Sequence, residues 1–261
     1  MTVTIYEKNQ YEAIKEAGKL AGQALDLACR SVKEGISTWA LDQIVEEWIR
    51  SKGAIPTFKG YHGFPASLCV SINHDVVHGI SSKERILKSG DIISLDIGVT
   101  LKEKYKAEEF NYIGDTARTI SVGEVNQKIV KLLEDTEESL YKGIEVCKEG
   151  KTIKDISKIV YEIALRERYG VVRSFGGHGI GPGYHSEPFI PNWPEYFEVN
   201  ENTEIKTGML LCIEPMFNLG ADDVKVLKDN WTVVTCDYKS SAHFEHTILV
   251  TNEGPFVTTK V

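Results

Sequence analysis

Near the start of the chain the apolar positions recur at helical spacing. Ile14, Ala17, Ala21, Leu25 and Ala28 mark one face of an amphipathic helix that the pattern ends near Gly35. A second helix follows, capped by Ser37 or Thr38, with Leu41, Ile44, Val45, Trp48 and Ile49 as its apolar stripe and Gly53 as its terminator. Between Leu68 and Ile97 the period changes: the short β-branched runs SLCVSI and DIISLDIGV, bounded by polar turn residues, predict strands. Helical spacing then returns twice, at Leu133, Thr136, Leu140 and Ile144 and at Ile156, Ile159, Val160 and Ile163, before Gly170. The runs VVRSF, MLLCIEPMF, WTVVTC and HTILVT follow as further strands. The order is helix, helix, strands, then helix, helix, strands again.

Individual residues echo that order. Lys33-Glu34-Gly35 recurs as Lys148-Glu149-Gly150 and Ile44-Val45 as Ile159-Val160, both at an offset of 115. His78-Gly79-Ile80 recurs as His178-Gly179-Ile180, and Gly90 stands six residues before Asp96 as Gly208 stands six before Glu214. The predicted class is α+β, with two similar helix-helix-strand halves, approximately residues 1–125 and 126–261, about a pseudo-twofold axis.

Composition narrows the class. With 42% apolar and 26% charged residues, and 8 Pro in 261 residues, the chain is an ordinary globular one, neither collagen-like nor disordered. Lys+Arg 30 against Asp+Glu 38 leaves a charge of -8, the wrong sign for a phosphate-backbone binder, so no direct nucleic-acid site is expected. No apolar stretch has the length of a spanning helix, and the opening MTVTIYEKNQ has no basic region followed by an apolar one; neither export nor a membrane is expected. The five cysteines, Cys29, Cys69, Cys147, Cys212 and Cys236, are odd in number, scattered and without C-x-x-C spacing. They argue against a disulfide framework or a cysteine zinc site, and for the reducing cytoplasm.

The repeat bears on chemistry because it sets an acid at the end of an apolar strand in each half, Asp96 in ISLDIG and Glu214 in LCIEPM. A carboxylate buried there is costly unless it is paired, hydrogen-bonded or bound to metal. Each is followed by a second acid on the next strand-like stretch, Asp115 in YIGDTAR and Glu245 in HFEHTILV. Taken singly, each reads equally well as an exposed strand-end acid or half of a salt bridge. Converging, they would raise one another's pKa, and divalent cations would satisfy the set at once. Histidine gathers nearby, as His178 in GGHGIGPG, His185 in YHSEP and His78 in the corresponding part of the first half. The glycines let backbone approach a ligand, although a turn histidine bonded to backbone fits the same pattern. Phosphate cradling is disfavoured, since the segment lacks the P-loop Lys-Ser/Thr and the G-x-G-x-x-G order. With no G-x-S-x-G elbow and no cysteine in a nucleophile motif, metal-activated water is the chemistry that remains.

Together YHGFPASLCVSIN, VVHGI, SLDIG, GDTART, GGHGIG, YHSEP, CIEPMF, KDNWTVV and SAHFEHTILVT resemble the type I methionine aminopeptidases of the pita-bread superfamily, over almost the whole chain. The 35 residues between His178 and Glu214 leave no room for the helical insert characteristic of type II members. The resemblance implies a pita-bread fold around a central antiparallel sheet and a single catalytic domain over residues 1–261. It implies removal of the N-terminal initiator methionine from nascent polypeptides in the cytoplasm, with small second residues favoured, by a monomer that associates with the ribosome.

Carried over by position, it further implies two divalent metal ions per chain. Asp115, His178, Glu214 and Glu245 would hold one, and Asp96, Asp115 and Glu245 the other. Such an oxygen-rich set suits Mn(II), Fe(II) or Co(II), with Zn(II) also in view. Glu214 would relay the proton of the attacking water, His185 would stabilise the oxyanion and His78 would contact the scissile amide nitrogen. Tyr61, Phe64, Cys69, Tyr184 and Trp231 match the family's methionine pocket, where aromatic walls suit a thioether. Read alone, Phe64 and Cys69 are ordinary core, and Phe58 and Lys59 are expected at the pocket entrance. The alternatives are a catalytically silent binding protein of the same fold, against which the intact ligands argue, and a prolidase or aminopeptidase P, which the compact chain fits poorly.

One departure from the family pattern stands out. Asp96 and Asp115 are separated by 18 residues, the extra length falling in LKEKYKAEEFN, residues 101–111. On adjacent antiparallel strands such a segment extends the connecting loop away from the metals. Lys102, Glu103, Lys104, Lys106, Glu108 and Glu109 suit a solvated arm anchored by Tyr105 and Phe110, either a neutral insertion or a border of the substrate entrance.

Overall fold

The structure, a computed structural model, describes residues 3–106 and 108–261. Helix α1 (Tyr11–Ser31) buries Ile14, Ala17, Ala21, Leu25 and Ala28, the face read from the sequence. It stops at Ser31, and Gly35, with φ of 83°, serves the turn into α2 (Thr38–Ser51). Ser37 caps α2, its hydroxyl accepting from the Ala40 N–H at 3.2 Å. Thr38 is engaged elsewhere: its hydroxyl donates to the Ser82 carbonyl at 3.1 Å and accepts from the Ser82 N–H at 2.8 Å. Ile44 lies outside the buried stripe, at 37% exposed. In the second half α3 (Gln127–Val146) is capped by Asn126, and α4 (Ile153–Glu167) opens with a reciprocal Thr152–Asp155 box. The seam of α3 runs through Leu132, Thr136, Leu140 and Ile144, and Leu133 is only half-buried beside it.

The strands are β1 (Ile55–Pro56), β2 (Cys69–Ile72), β3 (Asp75–Val77), β4 (Ile92–Tyr105), β5 (Glu108–Ser121), β6 (Gly170–Val171), β7 (Gly176–Gly179), β8 (Ser186–Pro191), β9 (Leu210–Ile213), β10 (Met216–Asn218), β11 (Val224–Val226), β12 (Val233–Thr235), β13 (Ser241–His243), β14 (Glu245–Thr251) and β15 (Gly254–Val257). Among the described residues nine of them form one sheet in the order β1-β4-β5-β14-β9-β7-β8, with β2 on β4 and β15 on β14. Two smaller sheets, β13-β10-β6 and β11-β12-β3, flank it. The run MLLCIEPMF is not one strand. Pro215 has no N–H for a ladder, and the chain leaves the large sheet after Ile213 and enters a small one at Met216, so Glu214 sits at the crossing. VVRSF and WTVVTC pair only over Gly170–Val171 and Val233–Thr235; in the first, Arg173 and Ser174 carry the chain out to solvent.

Alternate sheet residues serve opposite faces. Leu95, Ile97 and Val99 pack against α1 and α2, and Leu211, Ile213, Ile248 and Val250 against α3 and α4. Each such aliphatic side chain contributes roughly 1.5–3 kcal/mol by leaving water. The helices therefore cover one face, and Asp96, Cys212 and Glu245, out of phase with those residues, belong to the other.

The halves repeat each other at the level of single bonds. The Leu87 N–H donates to the Ile36 carbonyl at 2.9 Å, as the Ile205 N–H does to the Lys151 carbonyl at 2.8 Å. The Thr38 N–H donates to the Arg85 carbonyl at 2.9 Å, as the Ile153 N–H does to the Thr203 carbonyl at 3.0 Å. Gly35 and Gly150 share a φ of 83°, and Gly90 and Gly208 one of 93°. The two His-Gly-Ile triplets are alike at the glycine, where an added Cβ would stand 2.1 Å from the Val70 carbonyl oxygen at residue 79 and 2.1 Å from that of Glu187 at residue 179, and differ at the histidine: His78 follows β3 with φ of 59°, whereas His178 lies inside β7.

Segment 101–111 is no irregular loop. β4 and β5 stay in register out to the Tyr105–Glu108 pair, with Ala107 outside the described residues. Lys102 pairs with Glu109 across the strands at 2.7 Å, Phe110 meets Tyr6 edge-on at 6.1 Å, and Lys106 reaches Glu7 at 2.8 Å. The extra length extends a hairpin that ties itself to the segment ahead of α1 and leaves the register at Asp96 and Asp115 intact.

Candidate metal centre

The ladder of the central strands brings the predicted ligands together. Asp96 stands opposite Ala117 and Gly98 opposite Asp115; Ala117 in turn stands opposite Glu245. Thr247 stands opposite Cys212, and Cys212 opposite His178. Opposed residues share a face and the side-chain period is two, so Asp96, Asp115, Glu245, Cys212 and His178 all project from the side that the helices leave free. Glu214, two residues beyond Cys212, keeps that side as the chain leaves the sheet.

His178 Nε2 lies 3.8 Å from Asp115 Oδ2 and 3.8 Å from Glu214 Oε1. Its Nδ1 lies 3.0 Å from the Gly179 carbonyl; donating there fixes the tautomer and leaves the Nε2 lone pair facing the acids. Burial holds the His178 imidazole below its ordinary pKa, so it faces the carboxylates neutral. Burial, reinforced by the neighbouring acids, pushes the Asp96 and Glu245 carboxyls well above the usual range. It also pushes Asp115 up to about 8, against a hydrogen bond from Tyr184, with the Glu214 charge adding to the rise. Glu214 differs: burial raises it, but the His243 imidazole beside it and the other surrounding imidazoles outweigh that and hold it below its ordinary value.

Bare, such a cluster is unfavourable. Asp96 Oδ1, Asp115 Oδ1 and Glu245 Oε1 are buried without a hydrogen-bond partner. A divalent cation satisfies several orphaned carboxylate oxygens and a neutral imidazole nitrogen together, and the donor set fits one on those grounds. Among the described residues Asp115, His178, Cys212 and Glu245 each offer a donor atom, all within 4.8 Å of one another.

Beside the acids lies an aromatic pocket lined by Tyr61, Phe64, Cys69, His78, Tyr184, His185 and Trp231, with Phe58 and Asp96. Phe64 meets Trp231 edge-on at 5.0 Å, and Cys69 stands opposite Asp96 across β2 and β4, so pocket and acids adjoin. Phe58 is not at the entrance. It is a buried wall, 5.4 Å from Tyr184, and fits because residue 98 is glycine: a Cβ there would stand 2.6 Å from its ring. Lys59 turns away to Glu46. His185 sits at the mouth, with Nδ1 3.0 Å from Tyr61 Oη and its ring 4.3 Å from that of His178. Packing around the ring, then the His178 imidazole, lowers the His185 pKa; burial lowers that of His78 to about 4. Both are neutral near pH 7 and offer an N–H without a competing cation. A second hollow shares His78, His178, His185 and Glu214 with this site and continues along Phe175, Glu187 and Phe189.

Two residues escaped the sequence reading. His243, 1% exposed, has its Nε2 3.5 Å from Glu214 Oε2, and its backbone is pinned by Thr119, whose Oγ1 donates to the His243 carbonyl and accepts from its N–H. Cys212 was weighed only for disulfides and thiolate sites. The i, i+2 spacing of His243 with Glu245, and of Cys212 with Glu214, was the available signal.

Residues 12–252 match metallopeptidase family M24. The chain is 46% identical over 248 residues to methionine aminopeptidase 1 of Bacillus subtilis, covering 95% of each. The crystal structure of methionine aminopeptidase from Thermotoga maritima superposes with a TM-score of 0.91 at 35% identity over 100% of both chains. That of the Rickettsia prowazekii methionine aminopeptidase gives 0.89 at 38% identity, over 99% of this chain and 100% of the other.

Proposed function

The chain belongs to metallopeptidase family M24 and has its pita-bread fold, and from that membership we infer that it is a methionyl aminopeptidase, a metal-dependent hydrolase that removes N-terminal methionine. The observation that carries the site assignment is the convergence of Asp96, Asp115, His178, Glu214 and Glu245 on one sheet face beside an aromatic pocket. We propose that Asp115, His178, Glu214 and Glu245 hold one divalent ion and Asp96, Asp115 and Glu245 a second, of the Mn(II), Fe(II), Co(II) or Zn(II) class. Bound there, such ions polarise a carbonyl and lower the pKa of water.

The protein's own groups do the rest. The pocket of Tyr61, Phe64, Cys69, Tyr184 and Trp231, with Phe58, takes the thioether side chain and excludes water around it. Glu214 accepts the proton of the attacking water and passes it to the leaving nitrogen, its low pKa keeping it ionised and ready. His185, neutral and oriented by Tyr61, donates to the developing oxyanion, and His78 contacts the scissile amide nitrogen. Crowding at a buried site favours small second residues such as Gly, Ala, Ser or Thr. Among the described residues no helix is long and apolar enough to cross a membrane. Work in the cytoplasm on nascent chains, as a monomer meeting the ribosome, is our reading of the activity.

The test is anaerobic metal reconstitution followed by assay of Met-Ala-Ser against Leu- and Pro-leading peptides. Metal-free protein should be inert, Mn(II), Co(II) or Fe(II) should restore Met-Ala-Ser cleavage, and Met-Leu or Met-Lys peptides should be slow. Full activity without metal would sink the mechanism, and equal rates across second residues would sink the proposed selectivity.

A further inference from the structure

One set of donors that stand together here is not the set the family resemblance names. Asp115, His178, Cys212 and Glu245 each bring a donor atom within 4.8 Å of the other three, while Glu214 holds Oε1 3.8 Å from His178 Nε2 and turns Oε2 towards His243, 3.5 Å from the imidazole. Register accounts for the cysteine's place: Cys212 is cross-strand partner to both His178 and Thr247, so its sulfur belongs to the face and row of the ligands. Its polar neighbour Thr247 Oγ1, at 3.6 Å, already donates to the Asp115 carbonyl at 2.7 Å and accepts from the Asp115 N–H at 2.8 Å, so the thiol's other partner is the Glu245 carboxylate, itself one of the four donors. Independently, Asp115 Oδ1 and Glu245 Oε1, on side chains 1% and 2% exposed, are buried there with no hydrogen-bond partner.

We propose that this site has a second coordination mode, for thiophilic divalent cations, in which Cys212 binds as thiolate with Asp115, His178 and Glu245 in place of Glu214. The size is right. Bonds of roughly 2.0 Å to nitrogen or oxygen and 2.3 Å to the one sulfur place the donors of a tetrahedral ion roughly 3.3–3.5 Å apart. The His178–Asp115 separation is 3.8 Å, and donors within 4.8 Å need move inward by no more than about 1 Å. Chemistry then divides the ions. A hard, oxygen-seeking ion such as Mn(II) leaves the sulfur aside and recruits Glu214, whereas Zn(II) or Cd(II) takes the thiolate. As the sulfur–metal bond forms the S–H bond breaks, and one proton goes to solvent. Four protein donors around a tetrahedral ion leave no open position for water or substrate, so the thiolate form is a closed, inhibited one. The inference rests on the metal site proposed above and adds to it a dependence on which ion arrives.

The experiment uses the full chain, stripped of metal. Cd(II) added alone should give the ultraviolet sulfur-to-cadmium charge-transfer band, which should vanish in Cys212→Ser and persist in Cys69→Ser, the other thiol beside the acids. By competition titration, Cys212→Ser should lose at least about tenfold in Zn(II) affinity relative to Mn(II). Should the serine variant fail to fold, Cys212→Thr takes its place. No band in the wild type, a band that follows Cys69, or an unchanged Zn(II)-to-Mn(II) ratio would overturn the thiolate mode. Absent Mn(II)-dependent cleavage of Met-Ala-Ser with the band present would instead overturn the functional reading and uphold the thiolate site.

Discussion

Stripping the metal should reverse the usual pH dependence of stability near neutrality. Asp115 has its pKa pushed from 3.8 to about 8, first by burial, and Asp96 and Glu245 are also raised. In the metal-free protein the folded state thus holds protons that the unfolded chain has released. That contribution is complete below pH 3.8 and is lost as pH rises through about 8, so stability falls with rising pH. The buried histidines act with the opposite sign in a different window. His78, His185 and His246 are lowered by burial, so they add stability as pH rises to the ordinary imidazole range near 6.5 and nothing above it.

Between pH 7 and 8 the acids therefore act without the histidines. A group that stays protonated only in the folded state costs about 1.4 kcal/mol of stability per pH unit; weighted by its declining protonation, Asp115 accounts for about 1 kcal/mol over that unit. Asp96 and Glu245, raised in the same direction by burial and the neighbouring acids, add to the fall. At roughly 2–4 °C per kcal/mol for a chain of this size, the metal-free Tm should drop by several degrees. Scanning calorimetry of chelator-treated protein measures it directly. Mn(II)-loaded protein, its carboxylates ionised at both pH values, should show a level profile, and Asp115→Asn should lose its share of the metal-free slope. A metal-free Tm that is level or rises across this interval would refute the reasoning.

His185→Ala should keep its metal and lose turnover by roughly 10²-fold, as removal of an oxyanion donor does; a collapse in metal content would make His185 a ligand instead. His243→Leu should weaken Mn(II) binding by roughly tenfold, because Glu214 loses the imidazole at its Oε2, and His243→Gln, which keeps an N–H, should recover most of it. Equal affinities in the two variants would reduce His243 to packing. Gly98→Ala sets a methyl group 2.6 Å from the Phe58 ring and should raise KM for Met peptides with Mn(II) affinity held; loss of both together would mean that β4 itself had shifted. Replacing residues 102–109 by a short Gly-containing turn should preserve metal content and tripeptide turnover, since the arm pairs with itself and is anchored on Tyr6 and Glu7. Lost metal would show that the arm supports the ligands.

What was legible in the sequence follows from which forces leave a periodic trace. The helix faces did, because burial on a 3.6-residue period repeats over several turns, and the misjudged Ile44 and Leu133 sit at the edges of such faces, where burial grades off. The acids were legible because a carboxylate inside an apolar run needs a reason. The break at Pro215 was not, since MLLCIEPMF is as apolar after the turn as before it; only the change of sheet separates its two parts. Phe58 was misplaced for a related reason. Its position in the pocket depends on the absent Cβ of Gly98 across the β1–β4 corner, a contact between residues far apart in sequence that no local pattern announces. Cys212 and His243 carried the correct two-residue spacing, but it points to chemistry only once the facing strand is known.

That facing strand is the point where the two halves meet. The first half contributes β4 and β5 and the second β14 and β9, and the ladder between β5 and β14 holds just two residue pairs, Glu245 with Ala117 and His246 with Thr116. At Asp115 the ladder gives way to a side chain: the Thr247 hydroxyl accepts from the Asp115 N–H at 2.8 Å and donates to its carbonyl at 2.7 Å, satisfying both backbone groups that a continuing strand would have paired. The ladder thus stops at Asp115, two residues along β5 from Ala117, the partner of Glu245, and so next to the residues proposed to bridge two ions. Two acid-bearing strands of a repeated unit, joined by a short ladder that one hydroxyl ends, thus bring Asp115 and Glu245 side by side at the seam, a juxtaposition that neither half alone would have.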